Sequence, residues 1–343
     1  MYKPLIVFSI ALIALKCDGK KEFNAQLKIN ASAKKPTQKD SLLFQLKIPQ
    51  NTNLDSIRYQ IGEKIVKAPL PLTQFPLGKH QLKATVYTDT GPFTFSKDFW
   101  IYASEKPKLL RYRIINQFPH DANAYTQGLE FDGDILYEST GLKGRSSIRK
   151  IAYQSGDLIK EQKLDQVYFG EGLTLVNDHV IQLTWKANMG FVYDKETLQM
   201  ENTFAYQKSK EGWGLCHDSS NLYKSDGTHQ IWLLNPETFE EKGKIQVMTP
   251  SNPVNKINEL EWAEGLIYAN TYQFQKDVAV VIQPKTGAVE GVVDFTGLRE
   301  KLRNNPKAEV LNGIAYHPQR KTFFITGKLW NTLFEVAIYE DKQ

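Results

Sequence analysis

Short runs of alternating hydrophobic and polar residues follow one another along most of the chain. The clearest runs in the first third are residues 25–29, 43–48, 81–87 and 93–101. Alternation of this kind predicts half-buried β-strands. Proline and glycine residues, such as Pro69, Gly78 and Gly91, lie between the runs at positions typical of turns. The pattern predicts an all-β protein.

A longer repeat organises the second part of the chain. It opens with five short signatures: Gln127-Gly128-Leu129, Glu171-Gly172-Leu173, Trp213-Gly214-Leu215, Asn258-Glu259-Leu260 and Asn312-Gly313-Ile314. Their first residues are 44, 42, 45 and 54 positions apart. A strand-rich repeat of roughly 40 to 45 residues is typical of the blades of a β-propeller. The sequence therefore predicts a five-bladed β-propeller over residues 109–340.

An additional alternating strand, from Leu110 to Phe118, precedes the first repeat. The last repeat supplies only about three strands, and a propeller must cover the edges of its sheets. The additional strand is therefore predicted to be the fourth strand of the last blade, which joins the two ends of the ring. The polar segment from Leu298 to Lys307, which lengthens the last spacing, is predicted to form a short helix.

Residues 23–103 contain strands that lack this repeat. Their number and turn spacing favour a small immunoglobulin-like β-sandwich that precedes the propeller. It contains no candidate catalytic cluster, and its expected role is that of a spacer. Residues 104–108, which include Pro107, form the predicted linker.

The N-terminal residues predict export. Lys3 precedes an apolar run from Leu5 to Leu15, which is too short to span a bilayer but suits a signal peptide. Cys17 follows almost directly, so residues 1–17 resemble the signal peptide of a bacterial lipoprotein with Cys17 as the lipid-bearing residue. Lys16 stands where a small residue is usual, and an ordinary signal peptide is the alternative. The expected location is the membrane, facing the periplasm or the cell surface.

Composition and charge exclude several other functions. The chain has 343 residues, of which 41% are hydrophobic and 24% charged, and a net charge of +5. Lysine and arginine are scattered, so no nucleic-acid partner is predicted. The six histidines show no paired spacing, and Cys216 is the only cysteine besides Cys17. No metal site is predicted, and a monomer is expected.

The repeat also predicts a pocket. The innermost strand of each blade lines the axis of a propeller, so the first residues of the signatures should meet at its mouth. These are Gln127, Glu171, Trp213, Asn258 and Asn312. The ends of the second strands add Trp185 and Lys328. Such residues could merely satisfy backbone groups at turns, but an acid, three amides and two tryptophans in register favour a ligand site.

Ten short motifs carry a resemblance to a known family. They are Phe118–Asp121, Ala124–Leu129, Tyr137–Gly141, Phe169–Leu173, Gln182–Lys186, Glu211–Leu215, Ser225–Gly227, Asn258–Glu261, Leu311–Ala315 and Thr326–Trp330. In this order they resemble the plant-type glutaminyl-peptide cyclotransferases of plants and bacteria. The resemblance covers about residues 112 to 338, and the N-terminal module lies outside it.

The resemblance implies an activity. It is the conversion of the N-terminal glutamine of peptides or proteins to pyroglutamate, with release of ammonia. One carboxylic acid can take a proton from the attacking amine and return it to the leaving nitrogen, and Glu171 matches the acid/base residue of the family. Asn258 and Lys328 would polarise the side-chain amide as charge builds on its oxygen. No cofactor is expected for the chemistry, and a structural calcium ion in the central channel is left open.

The same resemblance predicts the substrate-binding residues. Gln127 would orient the amine or amide of the substrate, with Asn312 beside it. The aromatic walls would be Tyr125, Phe169, Trp185, Trp213 and Tyr272, the last at a position where tryptophan is expected. The alternative is a non-catalytic β-propeller that binds protein termini or other ligands in the cell envelope. Glu171 among aromatic side chains favours the enzyme, and a metal-dependent hydrolase or lyase is disfavoured.

Overall fold

The structure, a computed structural model, describes residues 23–340. The predicted signal peptide and Cys17 lie outside the described residues, so both stay predictions. The described residues form β-strands and two short 3₁₀ segments, which confirms the all-β prediction. No helix in this range is long and apolar enough to cross a membrane.

The first seven strands form two sheets. Strands β1 to β7 are Gln26–Ala31, Ser41–Lys47, Leu54–Ile61, Lys64–Ile65, Leu70–Pro71, Gly78–Thr88 and Gly91–Ile101, with a 3₁₀ segment at Leu72–Gln74. The sheet orders are β1-β2-β5 and β4-β3-β6-β7. Leu42 on β2 and Leu82 on β6 belong to one fully buried core. The two sheets therefore enclose a shared hydrophobic interior, and we call residues 23–103 the N-terminal module.

The remaining strands form the larger part of the molecule. Strands β8 to β27 are Lys108–Pro119, Thr126–Asp132, Ile135–Thr140, Ser147–Ala152, Asp157–Lys163, Gly170–Val176, His179–Thr184, Met189–Asp194, Met200–Ala205, Leu215–His217, Leu222–Ser225, Gln230–Leu234, Glu241–Gln246, Ile257–Ala263, Leu266–Thr271, Val278–Ile282, Val289–Asp294, Leu311–His317, Thr322–Gly327 and Thr332–Glu340. The short helix predicted within residues 298–307 is a 3₁₀ segment at Arg299–Lys301.

These strands form consecutive antiparallel sheets around a common axis. Strands β9–β12, β13–β16 and β17–β20 are three four-stranded sheets, and an eight-stranded sheet contains β21–β24, β8 and β25–β27. The inner strands β9, β13, β17, β21 and β25 contact one another in that order, and β25 returns to β9. A closed ring of inner strands, each followed by its own outward meander, is a β-propeller-like fold.

Strand β8 joins the two ends of this ring. It pairs antiparallel with β27 over its length, from Thr332 opposite Pro119 to Glu340 opposite Leu110. Its first residues also pair in parallel with β24. The prediction that a strand preceding the first repeat completes the last sheet is therefore confirmed.

Close packing at the axis explains the glycine in the second position of most signatures. A Cβ atom on Gly128 would lie 2.6 Å from the backbone nitrogen of Leu173, and one on Gly172 would lie 2.6 Å from that of Leu215. Both distances are shorter than real Cβ contacts. The inner strands can approach this closely only where a side chain is absent.

The fourth signature has Glu259 where the others have glycine. Its buried carboxylate accepts hydrogen bonds from the backbone N–H groups of Leu129 (3.4 Å) and Ile314 (3.0 Å). Glu259 on β21 therefore connects β9 and β25 across the axis. Burial raises the pKa of this carboxyl well above its ordinary value.

The N-terminal module packs against the propeller-like part. The Gln246 side chain, at the end of β20, accepts from the Lys79 backbone N–H (2.8 Å) and donates to the Lys79 carbonyl (3.4 Å). Met248 has 0% exposure and belongs to the core of the module. The Trp100 ring lies 5.5 Å from that of His229. The module is thus docked on the third sheet and on the segment that follows it.

Candidate active site

Most of the signature residues lie at irregularities of the inner strands. In β13 the antiparallel register shifts between Gly170 and Leu173, so Glu171 and Gly172 fall outside the regular ladder. Strands β21 and β25 shift at the equivalent positions. A β-bulge re-aims a side chain. In the first bulge the backbone is fixed by Ser139 Oγ, which donates to the Glu171 carbonyl.

Nine of the ten predicted site residues line one cavity of about 190 Å³. They are Tyr125, Gln127, Phe169, Glu171, Trp185, Trp213, Asn258, Tyr272 and Lys328. Pockets for drug-sized ligands are larger, roughly 300 to 1,000 Å³. The cavity therefore suits the terminal residue of a chain. A larger cleft of about 560 Å³ lies between the N-terminal module and β24, and none of these nine residues lines it.

The floor of the cavity holds an acid and a base in a buried setting. Glu171 is 5% exposed and Lys328 is 4% exposed. Burial raises the pKa of Glu171 well above its ordinary value, the charge of Lys328 opposes this shift, and the charge of Glu211 adds to it. Burial also lowers the pKa of Lys328, against the effect of Glu171 and Glu309. Both side chains are thus driven toward their neutral forms.

Asn258 presents an unused hydrogen-bond acceptor to the cavity. It is 2% exposed, and its Oδ1 has no hydrogen-bond partner among residues 23–340. Buried polar atoms in folded proteins are nearly always paired. The orphan oxygen is therefore available to an N–H group of a ligand.

Asn312 does not line the cavity but lies behind Gln127. Its Nδ2 donates to Gln127 Oε1 and to the Thr126 carbonyl, both at 2.9 Å. Because this bond engages Gln127 Oε1, Gln127 is oriented with its amide nitrogen as the remaining donor group. The repeat predicted that Asn312 lies at the same end of the inner strands as the cavity residues. It could not show that the Asn312 side chain lies behind the cavity wall and not in it.

Aromatic rings form the walls above this floor. The rings of Tyr125 and Phe169 lie 6.2 Å apart, those of Phe169 and Trp185 lie 5.6 Å apart, and those of Trp213 and Tyr272 lie 5.9 Å apart. All three pairs meet edge to face, an attractive geometry. All five side chains are half-buried. We call this set the aromatic belt.

Two ionisable residues bridge the gaps in the aromatic belt. Lys328 Nζ lies 4.7 Å from the ring centre of Tyr125 and 5.1 Å from that of Tyr272, a cation–π geometry. On the opposite side Glu211 Oε2 accepts from Nε1 of Trp185 (2.8 Å) and Nε1 of Trp213 (2.9 Å). The belt is therefore a closed ring around the cavity.

Sequence reasoning missed two acidic residues around the site. Glu211 lies two positions before Trp213, inside a motif that was recognised, and this proximity was the available signal. Glu309 accepts a hydrogen bond from Tyr125 Oη at 3.0 Å. It lies in the connection between β24 and β25, outside every motif, and no sequence signal marked it.

The described residues also bear on metal binding and on the free thiol of Cys216. Among the residues that the structure describes, no group of three or more His, Cys, Asp or Glu side chains is arranged to hold a metal ion. Cys216 is 1% exposed, and burial raises the pKa of its thiol well above the ordinary value. This is the environment of a small core residue.

Comparisons with known proteins agree with the motifs. The family described as Glutamine cyclotransferase matches residues 85–338. The chain is 34% identical over 299 residues to the glutaminyl-peptide cyclotransferase of Arabidopsis thaliana, which covers 85% of this chain and 89% of that protein. The crystal structure of Myxococcus xanthus glutaminyl cyclase is similar with a TM-score of 0.63 and 37% identity, over 69% of this chain and 100% of that one.

The family match is longer than the motifs indicated. It begins at residue 85, inside β6, and therefore includes the end of the N-terminal module, which the motifs had left outside. The resemblance seen in the motifs is nevertheless confirmed, and the chain belongs to the glutamine cyclotransferase family.

Proposed function

We propose that the protein is a glutaminyl-peptide cyclotransferase that converts the N-terminal glutamine of peptides or proteins to pyroglutamate. The names of its relatives from Arabidopsis thaliana and Myxococcus xanthus support this activity. The observation that carries the proposal is the Glu171 carboxyl, which is buried at the floor of a small aromatic cavity together with Lys328. A module that only binds ligands has no need of such an acid.

In this proposal Glu171 carries the proton. The neutral α-amine of the substrate attacks the side-chain carbonyl carbon, and a carbon–nitrogen bond forms. Glu171 takes one proton from this nitrogen and gives it to the side-chain nitrogen, which leaves as ammonia when the old carbon–nitrogen bond breaks. Burial supports this role because a raised pKa brings the acid closer to the working pH.

Lys328, Gln127 and Asn258 would act on the substrate amide. The carbonyl oxygen gains negative charge during the attack, and a fixed donor stabilises that charge. Lys328 Nζ is held between two tyrosine rings, and the amide nitrogen of Gln127 supplies a second donor. The free Oδ1 of Asn258 would accept an N–H of the substrate.

The aromatic belt would surround the glutamine side chain and exclude water from the reacting atoms. The cavity volume of about 190 Å³ supports a substrate that inserts only its first residue. Tyr272 supplies the wall beside Trp213, where tryptophan was expected, and carries no part of the proton transfer.

A direct assay tests this function. Purified protein is incubated with a glutamine-initiated dipeptide, and ammonia and the pyroglutamyl product are measured together, with an asparagine-initiated dipeptide as the control substrate. We expect equimolar ammonia and product from the first substrate only. Binding of the glutamine peptide without either product would favour the non-catalytic alternative.

We further propose that the chemistry needs no metal cofactor. The proton transfer assigned to Glu171 supports this. A structural calcium ion remains compatible with the proposal. We expect turnover to continue in EDTA. Loss of turnover in EDTA, followed by recovery on addition of zinc, would contradict the mechanism.

We also propose a specific architecture. Residues 109–340 would form five blades, with β8 as the outer strand of the fifth, and residues 23–103 would form an immunoglobulin-like sandwich. The closed ring of five inner strands and the shared core of the two N-terminal sheets support these assignments. Peptide or protein substrates are the only partners proposed, and the protein is expected to be a monomer.

The location is a separate proposal. Lys3, the apolar run to Leu15 and Cys17 support export and lipid attachment at Cys17. We expect Cys17→Ser to move the protein from the membrane fraction to the soluble fraction of its host. If the wild-type protein is already soluble after export, the ordinary signal peptide is the correct interpretation.

A further inference from the structure

Glu211 occupies an unusual position between two walls of the cavity. Trp185 follows the end of β14, and Trp213 precedes β17, so the two indoles come from neighbouring sheets. Both Nε1 atoms donate to the same oxygen, Glu211 Oε2. An indole has a single N–H donor. Each tryptophan therefore directs its only hydrogen bond to this carboxylate.

We infer that Glu211 is a positioning residue, which fixes Trp185 and Trp213 as one rigid wall of the cavity. The inference rests on the proposed cyclotransferase activity and assigns a role within its site. Glu211 does not line the cavity, so it acts through its two neighbours.

The backbone that carries Glu211 is itself anchored from inside the sheet. Lys224 on β18 has 0% exposure. Its Nζ donates to the Glu211 carbonyl at 2.8 Å and to Ser209 Oγ at 2.5 Å. The Ser209 backbone N–H in turn donates to Glu241 Oε2 at 3.1 Å. A buried polar network of this kind holds a segment in one conformation.

The second oxygen of Glu211 faces a more exposed group. Lys186 Nζ lies 3.8 Å from Glu211 Oε1 and 4.1 Å from the ring centre of Trp185. Lys186 is largely exposed, so its charge is screened by solvent and contributes little to holding the carboxylate. The two indole N–H groups and the anchored backbone are therefore the main constraints on Glu211.

Two substitutions in the full-length chain test the positioning role. Glu211→Gln keeps an oxygen that can accept from both indoles but removes the charge. Glu211→Leu removes both the acceptor and the charge. Glu240→Gln is the matched control, because Glu240 is an exposed carboxylate in the connection between β19 and β20 and does not line the cavity.

Steady-state kinetics with a glutamine-initiated dipeptide over a range of pH test the inference. Glu211→Leu removes two hydrogen bonds to a charged acceptor, and such bonds are stronger than those between neutral groups. We therefore expect this variant to lower kcat/KM by about 10- to 100-fold, mainly through KM. Glu211→Gln should keep KM within about threefold, because its side-chain oxygen still accepts from both indoles through hydrogen bonds that are roughly half as strong. Glu240→Gln should match the wild type.

Tryptophan fluorescence provides a readout that does not depend on activity. Glu211→Leu should change the emission spectrum, and this change should vanish in a Trp185→Phe/Trp213→Phe background. An unchanged spectrum would overturn the positioning role even if the cyclotransferase activity itself were absent. If Glu211→Leu does not fold, Glu211→Ala, which also lacks the acceptor, provides the same two readouts.

Discussion

Glu171 lies in an environment that disfavours its charged form. Its side chain is buried, burial is the dominant cause of its raised pKa, and the charge of Lys328 opposes that shift. A raised pKa in the folded protein is also a statement about stability. Between the ordinary pKa and the raised one, the folded state holds a proton that the unfolded state has lost. Stability from this group is therefore present at low pH and is lost as the pH rises through the raised value.

Glu171→Gln should remove the destabilisation that arises when the buried Glu171 carboxyl becomes charged. At pH 7 to 8 the variant should melt at a higher temperature than the wild type, because a neutral amide pays no desolvation penalty for a charge. Below the ordinary pKa of 4.5 the two proteins should differ little. Thermal melts across this pH range give the comparison. Equal melting temperatures throughout would mean that Glu171 ionises as an exposed acid does.

The two asparagines of the signatures should respond differently to substitution. Asn258→Ala removes an oxygen that has no partner, so stability should be kept while kcat/KM falls by roughly 10-fold or more. Asn312→Ala leaves the Thr126 carbonyl and Gln127 Oε1 without their donor, so it should lower the melting temperature. Melting curves and kinetics on both variants test this contrast. A stability loss in Asn258→Ala alone would reverse the two roles.

At the level of the elements, the bulges of the inner strands give the site its geometry. The glycines that follow the signature residues let neighbouring strands touch at the axis. A Cβ on Gly172 would meet the Leu215 nitrogen at 2.6 Å and the Gly214 Cα at 2.7 Å. Both atoms belong to backbone and cannot move aside easily. The inner strands can therefore pack around Glu171 only if the residue that follows it has no side chain.

Gly172→Ala should be strongly destabilising for this reason. Overpacking typically lowers the free energy of unfolding by about 1 to 3 kcal/mol. Because the added methyl group would clash with backbone atoms, we expect a loss at or above that range. Gly243→Ala is the matched control, because Gly243 lies in the outer strand β20 and its added Cβ meets nothing within 4 Å. Urea midpoints should fall for the first variant and stay or rise for the second. Equal midpoints would contradict the close packing at the axis.

The sequence was sufficient to predict the inner and second strands, because alternation and a repeat of fixed length are local signals. It also predicted the gathering of Glu171, Asn258 and Lys328, since equivalent positions of a repeat share one place in a ring. The register shifts were not predictable, because they depend on the partner strand. Strand β3 was also missed, although its second half, from Ile57 to Ile61, alternates apolar and polar residues; its first three residues are exposed and show no alternation.

The closure of the aromatic belt was beyond sequence reasoning as well. Glu211 contacts Trp185 from a distance of 26 residues in the chain, and Glu309 contacts Tyr125 from 184 residues away. Neither pair has a spacing that a repeat would reveal. Such contacts follow from how neighbouring sheets are placed, which only the folded structure shows.

At the scale of the whole molecule, the N-terminal module is docked rather than loosely attached. Gln246 forms two hydrogen bonds with the backbone of Lys79, and the neighbouring Gly78 leaves room for that side chain. An added Cβ on Gly78 would overlap the amide of Gln246. Met248 is buried in the core of the module. The N-terminal module is therefore held against the propeller-like part by specific contacts, which a role as a spacer alone did not predict.

A matched pair of glycines tests this docking. Gly78 and Gly91 both have positive φ, 109° and 118°, so alanine strains the backbone similarly at either site. Only Gly78→Ala displaces Gln246, whereas a Cβ on Gly91 meets nothing within 4 Å. Limited proteolysis within residues 104–108 should become faster in Gly78→Ala than in Gly91→Ala. Equal cleavage rates would show that the Gln246 contact does not hold the module.

The turnover number of Glu171→Gln tests the central claim most directly. General acid–base catalysis typically contributes roughly 10²- to 10⁴-fold. We predict that kcat for a glutamine-initiated dipeptide falls by about this factor, while KM changes little because the aromatic belt is intact. Glu240→Gln serves as the control and should keep normal turnover. Near-normal turnover in Glu171→Gln would mean that another group carries the proton, and the role assigned to Glu171 would be wrong.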